Sequence, residues 1–579
     1  MICFWSPIFL ICPSEYLWTM KKTILILLLA LLPFPARSQS ETPDSCILRI
    51  TGAFGMEELD ESVVERFDRL FSSPVRVNLA SDSRLVSSGL FTRYQAASLR
   101  DYRSSHGDVL SAQELALVDG FGEAAVRAIE PFISFESPNL PGRVASGARF
   151  ETEGSSRLNL RLSDSGPGWG YLSKLRAGVP DRWEVSIAAK STLAASKWPP
   201  EEVAGSAAYF GRRHLAKAVI GDFNARFGQG LLLWSGFSLT GASTAAAFAR
   251  HSTGISPAWT ASPSMAQRGA AAELVFGRLS LSGFLSLNRF AGANVSYSAR
   301  QGQYGLTAVS ASRFSADLRQ SAGKFDIFAE TALDARSRTL AAVGGVTFNP
   351  SYGSHVSLLL RDYPAGFDGA YAGAFRSSTK TSDEMGAALG FDTQKLSLTM
   401  DYARHPSKGT SQMKAVFKYS NDFSGKLTAA VKLTSRLRPA DSHIWRNEGR
   451  ADVTLRPVPG WSLSGAADVC HCQETSWLVF VESGYDFAGG KLRKLSASSR
   501  FTVFGADRWD DRIYCYERNV PGAFSVPAFY GRGYSVYFLS TLKTGHWSFS
   551  FRASLLGYPW MDEKKPGKAE LVSMLKFTY

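Results

Sequence analysis

From about residue 145 to the last residue, apolar and polar side chains alternate in runs of roughly ten, broken by Gly, Asp, Asn, Pro and Ser. Trp183–Lys190, Leu279–Leu287, Leu396–Tyr402 and Trp461–Ala466 are such runs, and Trp547, Phe549, Phe551 and Ala553 alternate with Ser548, Ser550 and Arg552. A period of two sends successive side chains to opposite faces of a strand. At roughly 20 residues per strand and connection, this stretch predicts a large antiparallel transmembrane β-barrel of about 20 strands over 138–579. Leu571, Ser573, Leu575, Phe577 and Tyr579 keep the alternation to the end, so the last strand is expected to pair with the first and close the barrel. The rhythm breaks at 224–268, a long stretch of small and polar residues expected to fold into the lumen. Asp222, Arg226, Gln229 and Arg268 around it, and Asp511, Arg512 and Glu517 in a second dense patch, are predicted to face the lumen, with salt bridges within the wall or plug as the alternative.

The period is different upstream. Over 57–71, apolar residues at 59, 63, 64, 67, 70 and 71 recur with helical spacing and leave an acidic outer face. Short helices are predicted over 81–88, 92–105, 111–118 and 123–129, the third opening on a capping-box pattern at Ser111 and Glu114. Tyr94, Ala97, Leu99 and Tyr102 are its predicted buried positions within 92–105. The chain therefore divides into a small all-α domain at 39–137 and a barrel at 138–579.

Composition supports a membrane barrel. The chain holds 51 Gly and 71 aromatics (38 Phe, 20 Tyr and 13 Trp), yet its mean hydropathy is near zero, because lipid-facing and water-facing residues interleave. The one long apolar run, Thr23–Leu32, follows Met20-Lys21-Lys22 and precedes Ala36 and Ser38. It reads as a signal peptide over 1–38, with its natural start at Met20, and a retained anchor is the alternative. Cys470-His471-Cys472 has no second ligand pair at metal spacing, so no metal and no cofactor are expected. No Gly-x-Ser-x-Gly in a strand-turn-helix setting and no His-Glu-x-x-His appear, and no catalytic residue is predicted. Charge is split: residues 39–137 carry 16 acids and 9 Arg, a net of −7, residues 1–38 carry +2, and the total of +13 leaves +18 on the barrel part.

Val77-Asn78-Leu79, Tyr102-Arg103, His106-Gly107, Glu114-Leu115 and Gly120-Phe121-Gly122 resemble the tandem helix-hairpin-helix module of competence-type DNA-binding proteins. The resemblance covers about 60 residues, and the first hairpin departs from it: Gly89-Leu90-Phe91 lacks the second glycine. The longer chain resembles Bacteroidetes-type outer-membrane barrels with such a domain, and its aromatic last residue resembles the signal read by the barrel assembly machinery. The resemblance implies phosphate contact through bare N–H groups at Gly120, Phe121, Gly122 and Gly89, with Arg93, Arg100, Arg103 and Arg127 adding charge. Against that stands the acidity of the module, since phosphate affinity follows cation count.

Two functions follow as expectations. The first is non-specific binding of double-stranded DNA by a periplasmic module beside an outer-membrane barrel, in uptake or handling. The second is a channel, transport or envelope-assembly component whose module docks a periplasmic protein. The basic barrel would suit a polyanion or lipopolysaccharide phosphates.

Overall fold

The computed structural model describes residues 43–578 except 60, 138–149, 164–165, 180, 193–198, 212, 236–243, 259–265, 288–289, 311, 352, 370, 438–444, 490–492 and 562–564, together with Tyr579. The proposed signal peptide lies outside the described residues. Twenty-four antiparallel strands form the wall, from Glu151–Ser163 to Lys568–Thr578, and these two pair along their length, Ser163 with Lys568 and Glu153 with Thr578, to close the barrel. The number exceeds the expected 20 because the connections are shorter than assumed. On the side of the barrel where both ends of the chain lie, they run from two residues, as at Gly277–Arg278, to six at 349–354. Gly277, Gly323 and Gly545 take positive φ in the two-residue turns, where a hairpin needs it.

Outward positions carry the apolar half of the alternation. Leu158, Leu160 and Leu162, Val185 and Ile187, or Leu358 and Leu360 are all exposed. Inward positions carry Ser, Thr, Asp, Glu and Arg, and many of these are buried. An outer face this apolar is suited to lipid rather than water.

The lumen is filled from both ends. On the side away from the termini, three connections are long: 227–266, 364–383 and 507–530. The first two pack together inside the wall. Phe248 meets Phe375 at 5.3 Å, and Leu231, Phe248, Phe367 and Phe375 share one buried cluster with inward Phe284, Phe328 and Leu359. Buried wall charges hold these connections. Arg361, fully buried, donates to Glu384 at 2.6 Å, Asp401 at 2.7 Å and the Ser377 hydroxyl, and Glu330 accepts the backbone N–H groups of Gln229 and Leu231.

The helical domain enters from the terminus side. Its helices are α1 (Pro43–Thr51), α2 (Glu61–Ser72), α3 (Asp82–Ser88), α4 (Arg93–His106), α5 (Ala112–Leu117) and α6 (Glu123–Ile129). They enclose a core of Phe67, Leu85, Leu99, Val109, Leu115 and Phe132. The parallel pair Val75–Arg76 with Ile133–Ser134 ties its beginning to its end. The full capping box lies at Thr92 and Gln95 of α4. At α5, Ser111 caps as expected, but Glu114 turns its carboxylate to Leu110 N–H and the Tyr102 hydroxyl instead. Of the four positions predicted buried on α4, Leu99 is; Tyr94, Ala97 and Tyr102 are half-exposed, and Arg93 and Ala96 take their place.

Candidate functional site

The surface between the helical domain and the barrel lumen is built largely from opposite charges. Glu58 accepts from Lys418 at 3.0 Å and Lys432 at 2.6 Å, both on the wall. Burial alone would raise the Glu58 carboxyl, but the two ammoniums, Lys432 foremost, overcome it and hold it at about 2. Glu57 pairs with Arg450 at 3.3 Å, Glu65 with Lys174, and Asp44 of α1 with Arg518 of the 507–530 connection at 3.5 Å. Three arginines reach the other way. Arg76, at 2.7 Å, and Arg84, at 3.6 Å, converge on Asp181 in a terminus-side turn, and Arg93 meets Glu273 at 3.0 Å. The 507–530 connection reaches down to the same domain, where Tyr516 and Phe524 pack on its core. The helical domain is thus a plug seated within the terminus-side half of the lumen.

This accounts for the charge split. The acidic face of α2 and its preceding turn answers wall lysines and arginines, and part of the barrel's basicity is neutralised from within. Sequence reasoning missed Asp44, Glu57, Glu58, Glu65 and their partners; the opposite net charges of the two segments were the signal.

Of the residues predicted to contact phosphate, the structure brings the two glycine turns together. Phe121 sits edge-on to Phe91 at 6.0 Å, and Gln95 donates to Gly120 O at 2.8 Å. Gly89 ends α3 with φ +76, and Gly120 and Gly122 have φ +83 and +131, conformations that favour glycine. A Cβ at Gly120 would also stand 2.5 Å from the Tyr94 ring. The arginines do not converge on the turns. Arg93 is 8% exposed and committed to Glu273 and Ser280 of the wall. Arg100 pairs with Asp82 at 2.6 Å, Arg103 with Asp108 at 3.5 Å and Asn78 O, and Arg127 is exposed on α6.

The residues predicted to face the lumen divide. Gln229 and Glu517 lie inside: the Gln229 amide oxygen accepts from Arg250 N, and Glu517 accepts from inward Arg552 at 2.5 Å and Ser535 at 2.9 Å. Arg226 donates to Ser235 O and lies over Trp234 within the 227–266 connection. Arg268 and Asp222 take the second reading, a salt bridge within the wall. Arg268 shares outward parity with exposed Leu274 and Phe276 and reaches sideways to buried Asp222 at 2.7 Å, an ion pair within the wall at a strand end. Asp511 is buried but closes a turn, accepting the N–H groups of Cys472, Gln473 and Glu474, while Arg512 lies over Trp509 near the rim. Among the described residues, no three His, Cys, Asp or Glu are grouped to hold a metal ion.

No family model and no curated protein matches the chain. Solved structures similar to it include OccK11 (OpdR) of Pseudomonas aeruginosa, at 9% identity and a TM-score of 0.28, covering 74% of this chain and 95% of that one. The P pilus usher (PapC) translocation pore aligns at 8% identity and 0.35 over 74% and 99%, and OccAB3 of Acinetobacter baumannii at 9% and 0.28 over 75% and 100%.

Proposed function

We propose that this protein is a channel or translocation component of the bacterial outer membrane whose lumen is held shut by its own N-terminal domain, a helix-hairpin-helix module used as a plug. The observation that carries the reading is the set of ion pairs joining Glu57, Glu58, Glu65, Arg76, Arg84 and Arg93 to the inner wall and its turns. A wall of 24 strands encloses a space on the order of 45 Å across between backbones, from strand spacing and tilt. Such a bore would leak freely unless filled. Docking by ion pairs rather than by a continuous apolar face suits a reversible plug, because separated charges regain hydration. The short turns and both chain ends share one side, which in barrels of this type is the periplasmic side. A periplasmic protein that binds the exposed face of α5 and α6 is the partner this arrangement fits, with lipopolysaccharide at the outer leaflet and the barrel assembly machinery for insertion.

Double-stranded DNA is the weaker ligand, because Arg93, Arg100 and Arg103 are taken up by internal partners. Planar-bilayer recording tests the channel reading. The intact protein is expected to be nearly silent, and weakening of the plug contacts is expected to give large, long-lived openings. A barrel equally silent, or equally open, with and without those contacts would reject it.

A further inference from the structure

We infer that a cavity beside the plug is a binding site for a short, neutral saccharide. The cavity, about 470 Å³, lies between the two glycine turns, the 251–254 segment and the wall, and is lined by Tyr94, Thr253, Gln301, Gln303, Asp317 and Arg319 among others. Its size falls in the range of small-molecule pockets, roughly 300–1,000 Å³. Gln301 lies in a terminus-side turn, so the cavity reaches that mouth of the barrel.

The second observation is a row of unanswered polar groups. Strand register sets Ser280 beside Ser296, Ser296 beside Gly305 and Gly305 beside Asp317. Three strand spacings make this row about 14 Å long. Arg93 anchors one end, giving one nitrogen to Ser280 and Glu273, yet its Nε and second terminal nitrogen have no hydrogen-bond partner among the described residues. Nor do one Asp317 oxygen and, across the gap, the Thr253 hydroxyl. Arg93, Asp317 and Thr253 all line the cavity. Arg93 and Thr253 are more than nine-tenths buried, where an unmet hydrogen bond costs about 1–3 kcal/mol. Three such residues on one cavity call for a polar occupant.

The chemistry selects among occupants. Donors (guanidinium, amide) and acceptors (carboxylate, hydroxyl) are interleaved, as a ligand rich in hydroxyls requires, since each hydroxyl both gives and takes a hydrogen bond. Charge is near balance: Arg93 is answered by Glu273, and the lining Arg250 and Arg319 are matched in number by Asp317 and Asp326. That disfavours a free anion. Tyr94, held against Gly120, offers an aromatic wall for a sugar ring.

The site exists only while the plug is seated, and so rests on the reading above. The test is calorimetric titration of the full-length protein, in a zwitterionic detergent without sugar groups, with maltotriose, N-acetylchitotriose, inorganic phosphate and a neutral tripeptide. At least one saccharide is expected to bind saturably, with Kd in the millimolar range or tighter, and Thr253→Val or Asp317→Asn to weaken it roughly tenfold or more. No saturable heat with either saccharide, tighter binding of phosphate or tripeptide, or equal binding by both variants would overturn the proposal. Running the same titration on protein whose plug is fixed by a Gly52→Cys/Thr244→Cys disulfide separates the two ideas. A bridged plug with no saccharide binding rejects the site alone, and failure to bridge rejects the seated plug.

Discussion

Replacing Glu58 is the sharpest way to loosen the plug. The carboxylate lies 2.6 Å from Lys432 and 3.0 Å from Lys418, and both ammoniums are largely buried. Glu58→Gln removes the shared counter-charge and leaves two cations facing each other. Breaking a buried pair costs about 3–5 kcal/mol. Because water enters this boundary more readily than a dry core, about 2–4 kcal/mol is a fair range, or roughly 30- to 1,000-fold in the seated-to-displaced ratio at 1.36 kcal/mol per tenfold. Glu58→Gln protein in planar bilayers should open far more often than the parent, and protease should cut 43–137 faster while the barrel keeps its heat-resistant gel mobility. Adding Lys418→Met and Lys432→Met should restore closure, since an apolar replacement of a whole buried ionic group is often neutral. The pH sign follows from the held-down carboxyl. Its stabilisation is present above about 4.5 and is lost as pH falls through about 2, so this contact should not gate the parent between pH 5 and 8. Unchanged opening and unchanged protection in Glu58→Gln would mean that Glu58 does not hold the plug.

Asp68 on α2 behaves oppositely: burial foremost, with Asp44 and Glu65 adding repulsion, lifts its carboxyl to about 7. The contribution of Asp68 to the hold is therefore full below about 3.8 and lost as pH rises through 7, and Asp68→Asn should flatten that loss in melting or protection measured from pH 5 to 8. Arg361→Leu should strip Glu384 and Asp401 of their shared cation and cost about 3–5 kcal/mol, read as a lower melting temperature and exposure of 364–383 to protease. Full-length protein should not retard duplex DNA at 50 mM salt; a shift abolished by Gly120→Val with Gly122→Val would favour the nucleic-acid reading instead.

The alternation in runs such as Leu279–Leu287 and Trp547–Ala553 made the wall legible, because a two-sided strand facing lipid and lumen must alternate. The closing pair was legible for the same reason. Strand number was not, since turn length is a local matter that alternation does not report. The turn at 120–122 was legible from glycine, whose positive φ at both positions leaves a trace in sequence. The seat of the plug was not: Glu58 and Lys418 are 360 residues apart and Glu57 and Arg450 are 393 apart, and charge carries no address. Arg268 stayed open between lumen and wall because a cation at a strand end can snorkel to the interface or pair within the wall as readily as face water.

One bond tests whether the helical domain sits within the lumen. A Cβ built at Gly52, at the end of α1, would lie 3.7 Å from that of Thr244 in the 227–266 connection, within disulfide range. With Cys46, Cys470, Cys472 and Cys515 changed to Ser, Gly52→Cys/Thr244→Cys should oxidise to an intramolecular bridge in intact outer membranes, seen as faster gel migration reversed by reductant. The bridge should also silence the openings of Glu58→Gln until it is reduced. Two thiols that stay free under oxidant, in a protein that is folded and inserted, would contradict the seated plug.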